Sequence, residues 1–301
     1  MLVVTSVVVI AGALFSPAAV ECSSALELAR KAYESRQFTA AINGLEQAGS
    51  QCPDRQRILL PLAQAQLMAQ RLEESLKTLD ELLQLRSEEP DALKLRGDVL
   101  YLLAREEEAV QSLLQALKVE PGHRGSRYAL GRIYYQQNRF PEAVQLFAEL
   151  VQEDPTHYRA HDNLALSYAG MGRDSDALRH FLKALELVHK DHPEYDTVYA
   201  NAANFFLGRG ENAKGFQLAA EASKRNPESA RNLYLTGKAL AALEKHDLSL
   251  RWFQKAAELD ASFSDASYWL AKAYRKLGRN EEAERELQRF RELSTRPKPR
   301  R

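Results

Sequence analysis

The chain has 301 residues, 45% hydrophobic and 27% charged, with 41 Lys and Arg set against 41 Asp and Glu. A balance of zero lacks the cationic excess that nucleic-acid backbone binding requires, so nucleic acid is excluded as the main partner and a solvated surface of mixed charge is expected. The length exceeds what one hydrophobic core ordinarily serves, a need that a linear stack of small units avoids.

Leu2 to Phe15 is almost wholly apolar and uncharged, and Ser16-Pro17-Ala18 follows with small residues at alternate positions. That order is the pattern of a secretory signal peptide, so residues 1–18 read as a leader removed on export to a periplasmic or extracellular compartment. No Lys or Arg precedes the apolar run, and Leu2 to Val20 approaches the ~20 residues that span a bilayer. An inner-membrane anchor over residues 2–20 is therefore the alternative, and membrane contact is expected only if that segment is retained. Glu21 stands where a lipid-anchored Cys22 would need a small residue, which argues against lipidation.

Beyond this segment one phrase recurs. Phe140-Pro141-Glu142-Ala143-Val144-Gln145-Leu146-Phe147, followed by Leu150 and Pro155, returns 34 residues later as Asp174-Ser175-Asp176-Ala177-Leu178-Arg179-His180-Phe181, followed by Ala184. Self-similarity at such a period predicts stacked repeats rather than one globular core. Each unit carries two apolar stripes at helical spacing with a short turn between them. In these residues the chain resembles the tetratricopeptide repeat (TPR) family. That family's helix A carries large, large-small and large residues at repeat positions 4, 7–8 and 11. Its helix B carries small residues at 20 and 27, an aromatic or Leu at 24, and often Pro at 32. The resemblance implies an all-α fold, a right-handed α-solenoid of about eight helix–turn–helix repeats covering residues 22–295.

In chain order, repeat 22–55 gives Leu28-Ala29, Ala41, Leu45, Ala48 and Pro53. Repeat 56–89 gives Leu62-Ala63, Ser75, Leu79 and Leu82, and Pro61 within its first helix predicts a later start or a kink. Repeat 90–123 gives Gly97, Leu100, Ala109, Leu113, Ala116 and Pro121. Repeat 124–157 matches most fully, with Leu130-Gly131, Tyr134, Ala143, Phe147, Leu150 and Pro155. Repeat 158–191 gives Leu164-Ala165, Tyr168, Ala177, Phe181 and Ala184. The insertion His192-Pro193-Glu194-Tyr195 is then expected to lengthen the turn into repeat 196–229, which gives Ala202-Ala203, Phe206, Gly215, Ala219, Ala222 and Pro227. Its small Gly215 and Ala219 predict the loosest packing of the series. Repeat 230–263 gives Gly237, Leu240, Ser249, Phe253 and Ala256, and repeat 264–295 gives Leu270-Ala271, Tyr274, Ala283 and Leu287. The charged last helix can cap the stack, and the basic, Pro-interrupted residues 296–301 read as a disordered tail.

Cys22 opens helix A of the first repeat and Cys52 closes its helix B, and in an antiparallel hairpin those ends are neighbours. Export would place them in an oxidising compartment, so a Cys22–Cys52 disulfide is expected.

The sequence holds no Gly-rich phosphate loop, nucleophile elbow or zinc-protease helix motif, so no catalytic residue, cofactor or metal is assigned. His157 and His161 share a helical spacing, but they fall at a repeat turn and at packing position 4, which points to structural duty. His189, Asp191 and His192 cluster at the insertion, where a surface metal site is the alternative to a solvated turn.

The resemblance further implies that the A helices line a concave groove into which positions 2, 5, 9 and 12 point. Those positions hold Leu26, Tyr33, Leu60, Leu67, Lys94, Tyr101, Tyr128, Arg132, Tyr135, Tyr234, Lys238, Tyr268 and Lys272, with Arg30 and Asp98 among them. Tyr is a favoured interface anchor, and the alternative is that these rings pack sideways on neighbouring helices. Some TPR domains grip a C-terminal carboxylate with Lys at position 5 and Asn at position 9. Here repeat 158–191 offers Asp162 and Leu166 instead, which disfavours a chaperone-tail receptor. The expectation is an exported, non-catalytic scaffold that binds a peptide segment or protein partner in its groove, within an envelope assembly. The alternatives are a self-associating structural module or an enzyme with an unrecognised site.

Overall fold

The computed structural model describes residues 17–52, 54–192 and 194–295. The leader expected over 1–18 lies outside them except for Pro17 and Ala18, and the tail 296–301 lies outside them altogether. Sixteen helices and no strand occur among the described residues. They pair as α1 (Pro17–Glu34) with α2 (Phe38–Gln51), α3 (Gln56–Met68) with α4 (Leu72–Leu85), and α5 (Pro90–Leu102) with α6 (Glu106–Val119). The sequence continues with α7 (Arg124–Gln136) and α8 (Phe140–Glu153), α9 (Tyr158–Gly170) and α10 (Asp174–Asp191), and α11 (Thr197–Gly208) and α12 (Asn212–Arg225). It ends with α13 (Ala230–Ala242) and α14 (His246–Leu259), then α15 (Ser264–Lys276) and α16 (Asn280–Ser294). No helix among the described residues is long and apolar enough to cross a membrane.

The chain divides into two compact units, Met1–Ser126 and Arg127–Arg301. Within each, a hairpin packs against the next through its second helix: α2 on α3 and α4 on α5 in the first, α8 on α9, α12 on α13 and α14 on α15 in the second. The A helices of the second unit also touch in series, α9 on α11, α11 on α13 and α13 on α15. The fold is thus the all-α solenoid class that the 34-residue period predicts.

The backbone carries the same period. The turn between helix A and helix B holds one left-handed residue each time: Arg36, Gln70, Ala104, Asn138, Gly172, Gly210, Glu244 and Gly278. The step is 34 residues except across the insertion, where it is 38. Each turn is closed by the amide of the next residue, which reaches back to a carbonyl near the end of helix A, as Arg139 does to Tyr134 at 2.8 Å and Arg173 to Tyr168 at 2.9 Å. This is the C-terminal cap that satisfies orphan carbonyls while the chain reverses.

Packing explains the small residues. Ala41, Ala109, Ala143, Ala177 and Ala283 at position 20 are fully buried, and so are Phe147, Phe181 and Phe253 at position 24. A Cβ on Gly131 would sit 2.8 Å from the Phe147 ring, and one on Gly237 would sit 2.7 Å from the Phe253 ring. Glycine at these places lets an aromatic ring lie directly on the backbone of helix A.

Three local expectations are corrected. α3 starts at Gln56 and carries Pro61 inside it, so the helix is not delayed; the ring forfeits only the hydrogen bond to the Arg57 carbonyl, close to the helix start. The four extra residues before repeat six lengthen a helix rather than a turn. α10 runs for 18 residues where α8 and α12 run for 14, because Leu187 and Val188 extend the buried stripe of Phe181 and Ala184 by one turn. Repeat six is not loose: Gly215 and Ala219 are buried, and the Leu207 side chain fills the space over Gly215, 2.6 Å from where a Cβ would stand.

The first hairpin closes as expected. Cys22 and Cys52 form a disulfide with a Cα–Cα separation of 5.0 Å, and both sulfurs belong to the cluster of Ala29, Ala41, Ile42, Leu45 and Ala48.

Candidate functional site

In the second unit, α7, α9, α11 and α13 border a groove of about 760 Å³. Tyr128, Arg132 and Tyr135 come from α7, Arg159, Asp162 and Asn163 from α9, Thr197 and Asn201 from α11, and Arg231 from α13. Tyr195 completes the lining from the insertion. Helical spacing sets this arrangement: residues three and four apart share a face, so Tyr128, Arg132 and Tyr135 stand together on α7, and Arg159 stands with Asp162 and Asn163 on α9.

Hydrogen bonds order the floor. Asp162 is 2% exposed, and its Oδ2 accepts from Asn201 Nδ2 at 2.8 Å. Asn201 Oδ1 in turn accepts from Arg231 at 2.7 Å. The other Asp162 oxygen is buried without a hydrogen-bond partner among the described residues. Burial, only partly offset by the Asn201 bond and the Arg231 charge, pushes the Asp162 carboxyl up to about 7. Asn163 donates to the Tyr128 hydroxyl at 3.2 Å and to the Arg159 carbonyl at 2.8 Å.

The walls are aromatic. Tyr128 packs edge-on against Phe147 and stacks on His157, with ring centroids 5.9 and 5.8 Å apart. Tyr195 meets the Tyr158 ring at 5.0 Å, and the Arg159 guanidinium lies 5.5 Å from both rings. Burial raises the phenols of Tyr128 and Tyr135 and pushes Tyr195 up to about 12, so all three are neutral hydroxyls at physiological pH.

The remaining candidates are distributed along both units. Tyr234 lines a second hollow of about 690 Å³ with Asn204, Phe263 and Asp265, and Lys238 donates to the Asn204 side chain at 3.1 Å. Tyr268 is 38% exposed against Phe290, and Lys272 lies 4.3 Å from the Trp269 ring. In the first unit, Leu26 and Tyr33 line an apolar hollow of about 330 Å³ with Pro61 and Arg57. Leu60 and Leu67 are half-buried on α3, as is Tyr101 on α5, and Lys94 pairs with Asp98 at 2.6 Å. The structure therefore gathers Tyr128, Arg132 and Tyr135 into one groove and does not gather the others with them.

Sequence reasoning missed Arg159, Asn201, Arg231 and Tyr195 as groove residues. Arg159 and Arg231 occupy position 2, and their charge was legible, but Tyr195 stands in an insertion that no repeat register covers. A second missed feature is an arginine at the start of helix B. Arg71, Arg105, Arg139, Arg173 and Arg279 each pair with the acid three residues on, at 2.6 to 3.5 Å. Arg139, Arg173 and Arg279 also lie 4.0 to 4.6 Å from the rings of Tyr134, Tyr168 and Tyr274. The signal was an Arg-x-x-acid string recurring at the repeat period.

The histidines are structural. The His157 ring accepts from the Ala160 amide and caps α9. His161 Nε2 lies 3.1 Å from the Pro155 carbonyl, and its Nδ1 lies 3.0 Å from His180 Nδ1. His189 reaches the Tyr199 hydroxyl at 3.5 Å and His192 packs on the Tyr158 ring. Among the described residues, no three His, Cys, Asp or Glu stand close enough to hold one metal ion.

Models described as tetratricopeptide repeat match residues 32–99 and 139–202, residues 94–158 and 201–263, and residues 265–293. Among solved structures, the chain is similar to a tetratricopeptide repeat protein from Parabacteroides merdae ATCC 43184. The identity is 19% and the TM-score 0.69, over 84% of this chain and 99% of that one. Two crystal structures of MamA align at TM-scores of 0.49, with 20% and 21% identity over 56% and 54% of this chain and 93% and 95% of theirs. No curated relative matches the sequence.

Proposed function

The chain belongs to the tetratricopeptide repeat family, and from that premise we propose that it is an exported, non-catalytic scaffold that holds a peptide segment of a protein partner in the groove of its second unit. The observation that carries this reading is the groove itself: four A helices border one hollow, and tyrosine rings and guanidinium groups line it. Aromatic rings fixed by their neighbours offer contact area at little entropic cost, and Tyr and Arg are over-represented among residues that dominate binding energy. The fold is of a kind that typically binds rather than catalyses, and protein partners are its common ligands. Export is supported by the apolar start of the chain and by the disulfide, which persists in oxidising compartments. An envelope assembly is the setting we favour.

A photo-crosslinking side chain placed at Arg132 is expected to capture the natural partner in the native cell, while one placed at Arg179 on α10 is not. Tyr135→Ser is expected to weaken that capture with helicity retained. Equal capture from both positions, or capture indifferent to Tyr135, puts the site on another face. Mass spectrometry of the mature N-terminus tests export separately: a chain still starting at Met1 overturns cleavage.

A further inference from the structure

The groove of the second unit is unbalanced in charge although the whole chain is neutral. Arg132, Arg159 and Arg231 are exposed beside it, and none has a carboxylate within ion-pair distance among the described residues. Among the described residues, Arg159 donates to the Tyr158 hydroxyl and Arg231 to the Asn201 side chain. The contrast with Arg105, Arg139, Arg173 and Arg279, each matched by its own acid, is direct. Among the described residues the acid lining the groove is Asp162, which is buried and bonded to Asn201, so it offsets at most one of three cations.

We propose that this groove binds an extended acidic segment of a protein partner, with its Glu or Asp carboxylates on Arg132, Arg159 and Arg231 and its apolar side chains against Tyr128, Tyr135 and Tyr195. A guanidinium fork matches a carboxylate with two parallel hydrogen bonds, which favours acid recognition over a point-charge contact. The hollow draws on four successive A helices and the insertion, a span that suits several residues of extended chain better than one small anion. The aromatic walls supply apolar contacts that a bare anion does not use. This inference rests on the groove-binding reading above and adds the chemistry of the ligand.

The probe is a fluorescein-labelled peptide of six Glu-Leu dipeptides, compared with its Lys-Leu counterpart by fluorescence anisotropy on the full chain. The Glu peptide is expected to bind with an affinity that falls as salt rises, and the Lys peptide at least tenfold more weakly. Arg132→Glu, at a residue that makes no internal ion pair, is expected to cost at least tenfold in affinity with unchanged circular dichroism. Arg231→Gln is expected to cost a few-fold, and Arg179→Gln on α10 nothing. Equal binding of the two peptides, indifference to Arg132→Glu, or displacement by inorganic phosphate at the peptide's own concentration overturns the proposal. If crosslinking from Arg132 still captures the natural partner while the Glu peptide fails to bind, the acidic chemistry is wrong and the groove reading stands.

Discussion

The two units treat charge on their A helices differently. In the first, Arg30 is held between Glu27 and Glu34 at 2.8 and 2.5 Å, Lys94 is matched by Asp98, and Arg96 reaches Asp80 on α4 at 2.7 Å. In the second, Arg127 on α7 is likewise held by Glu149 and Glu153 on α8, but Arg132, Arg159 and Arg231 border a groove whose acid among the described residues, Asp162, is buried and offsets at most one of them. Charge neutralised within the fold is surface maintenance and contributes little to stability when exposed. Charge left unmatched beside aromatic walls stays free for a ligand. The units also differ in how they hold together: the first closes its end hairpin with a disulfide, whereas the second buries Phe147, Phe181 and Phe253 where the first buries Leu45, Leu79 and Leu113.

The sharpest test of that difference is Phe147→Ala, expected to cost ~3–5 kcal/mol by emptying a fully buried site. Hydrogen exchange is expected to show the loss in the second unit while α1 to α4 keep their protection; a loss below about 1 kcal/mol would show that the rings are not the core. Cys52→Ser makes the reciprocal case. Opening a loop of sequence separation 30 is expected to cost ~3–4 kcal/mol in the chain-entropy model, confined to α1 and α2. Two reactive thiols in freshly isolated protein would remove its premise.

Asp162 on α9 and His180 on α10 give the second unit opposite responses to pH. Asp162 has a folded pKa raised from 3.8 to about 7, so its contribution is fully present below pH 4 and is lost as pH rises to 7. It is faced by Arg132, Tyr128 and Tyr135 from α7, Arg159 from its own helix, Tyr195 from the insertion, and Asn201 and Arg231 from α11 and α13. Asp162→Asn is expected to abolish that loss, gaining on the order of 2 kcal/mol on the wild type between pH 4 and pH 8. A constant difference in Tm across that range would sink the assignment. His180 runs the other way. Burial lowers it from 6.5 to about 4, with His161 and Arg179 adding to the effect, so its contribution is present above pH 6.5 and lost as pH falls toward 4. His180→Phe is expected to shift acid unfolding to lower pH, a change read directly in an acid titration of circular dichroism.

The smallest effects lie in the turns, where both units share one backbone. Ala104 adopts a left-handed conformation that glycine tolerates and alanine resists, so Ala104→Gly in the first unit is expected to stabilise by ~1 kcal/mol. Gly172→Ala at the equivalent turn of the second unit is expected to destabilise by about as much, with Tm as the readout.

The repeat was legible because position-specific packing leaves residue types in register. Alanine at 143 and 177 and phenylalanine at 147 and 181 are forced by the same crossing of helices, and the disulfide follows once the first hairpin is recognised. What failed were places where the register breaks. Residues 192–195 look like added loop, but buried Leu187 and Val188 draw the helix on for another turn, which brings Tyr195 back to the groove. Pro61 reads as a helix breaker, and its position near the start of α3 makes it tolerable.

The amino-acid order alone determined the helical hairpins, their period, the buried stripes and the pairing of the cysteines, because each of these depends on neighbours within one unit or the next. Only the tertiary structure decided which exposed side chains share a groove and which charges go unmatched. Arg132, Arg159 and Arg231 lie far apart in sequence, and their common environment arises from the side-by-side placement of A helices, which no local pattern encodes.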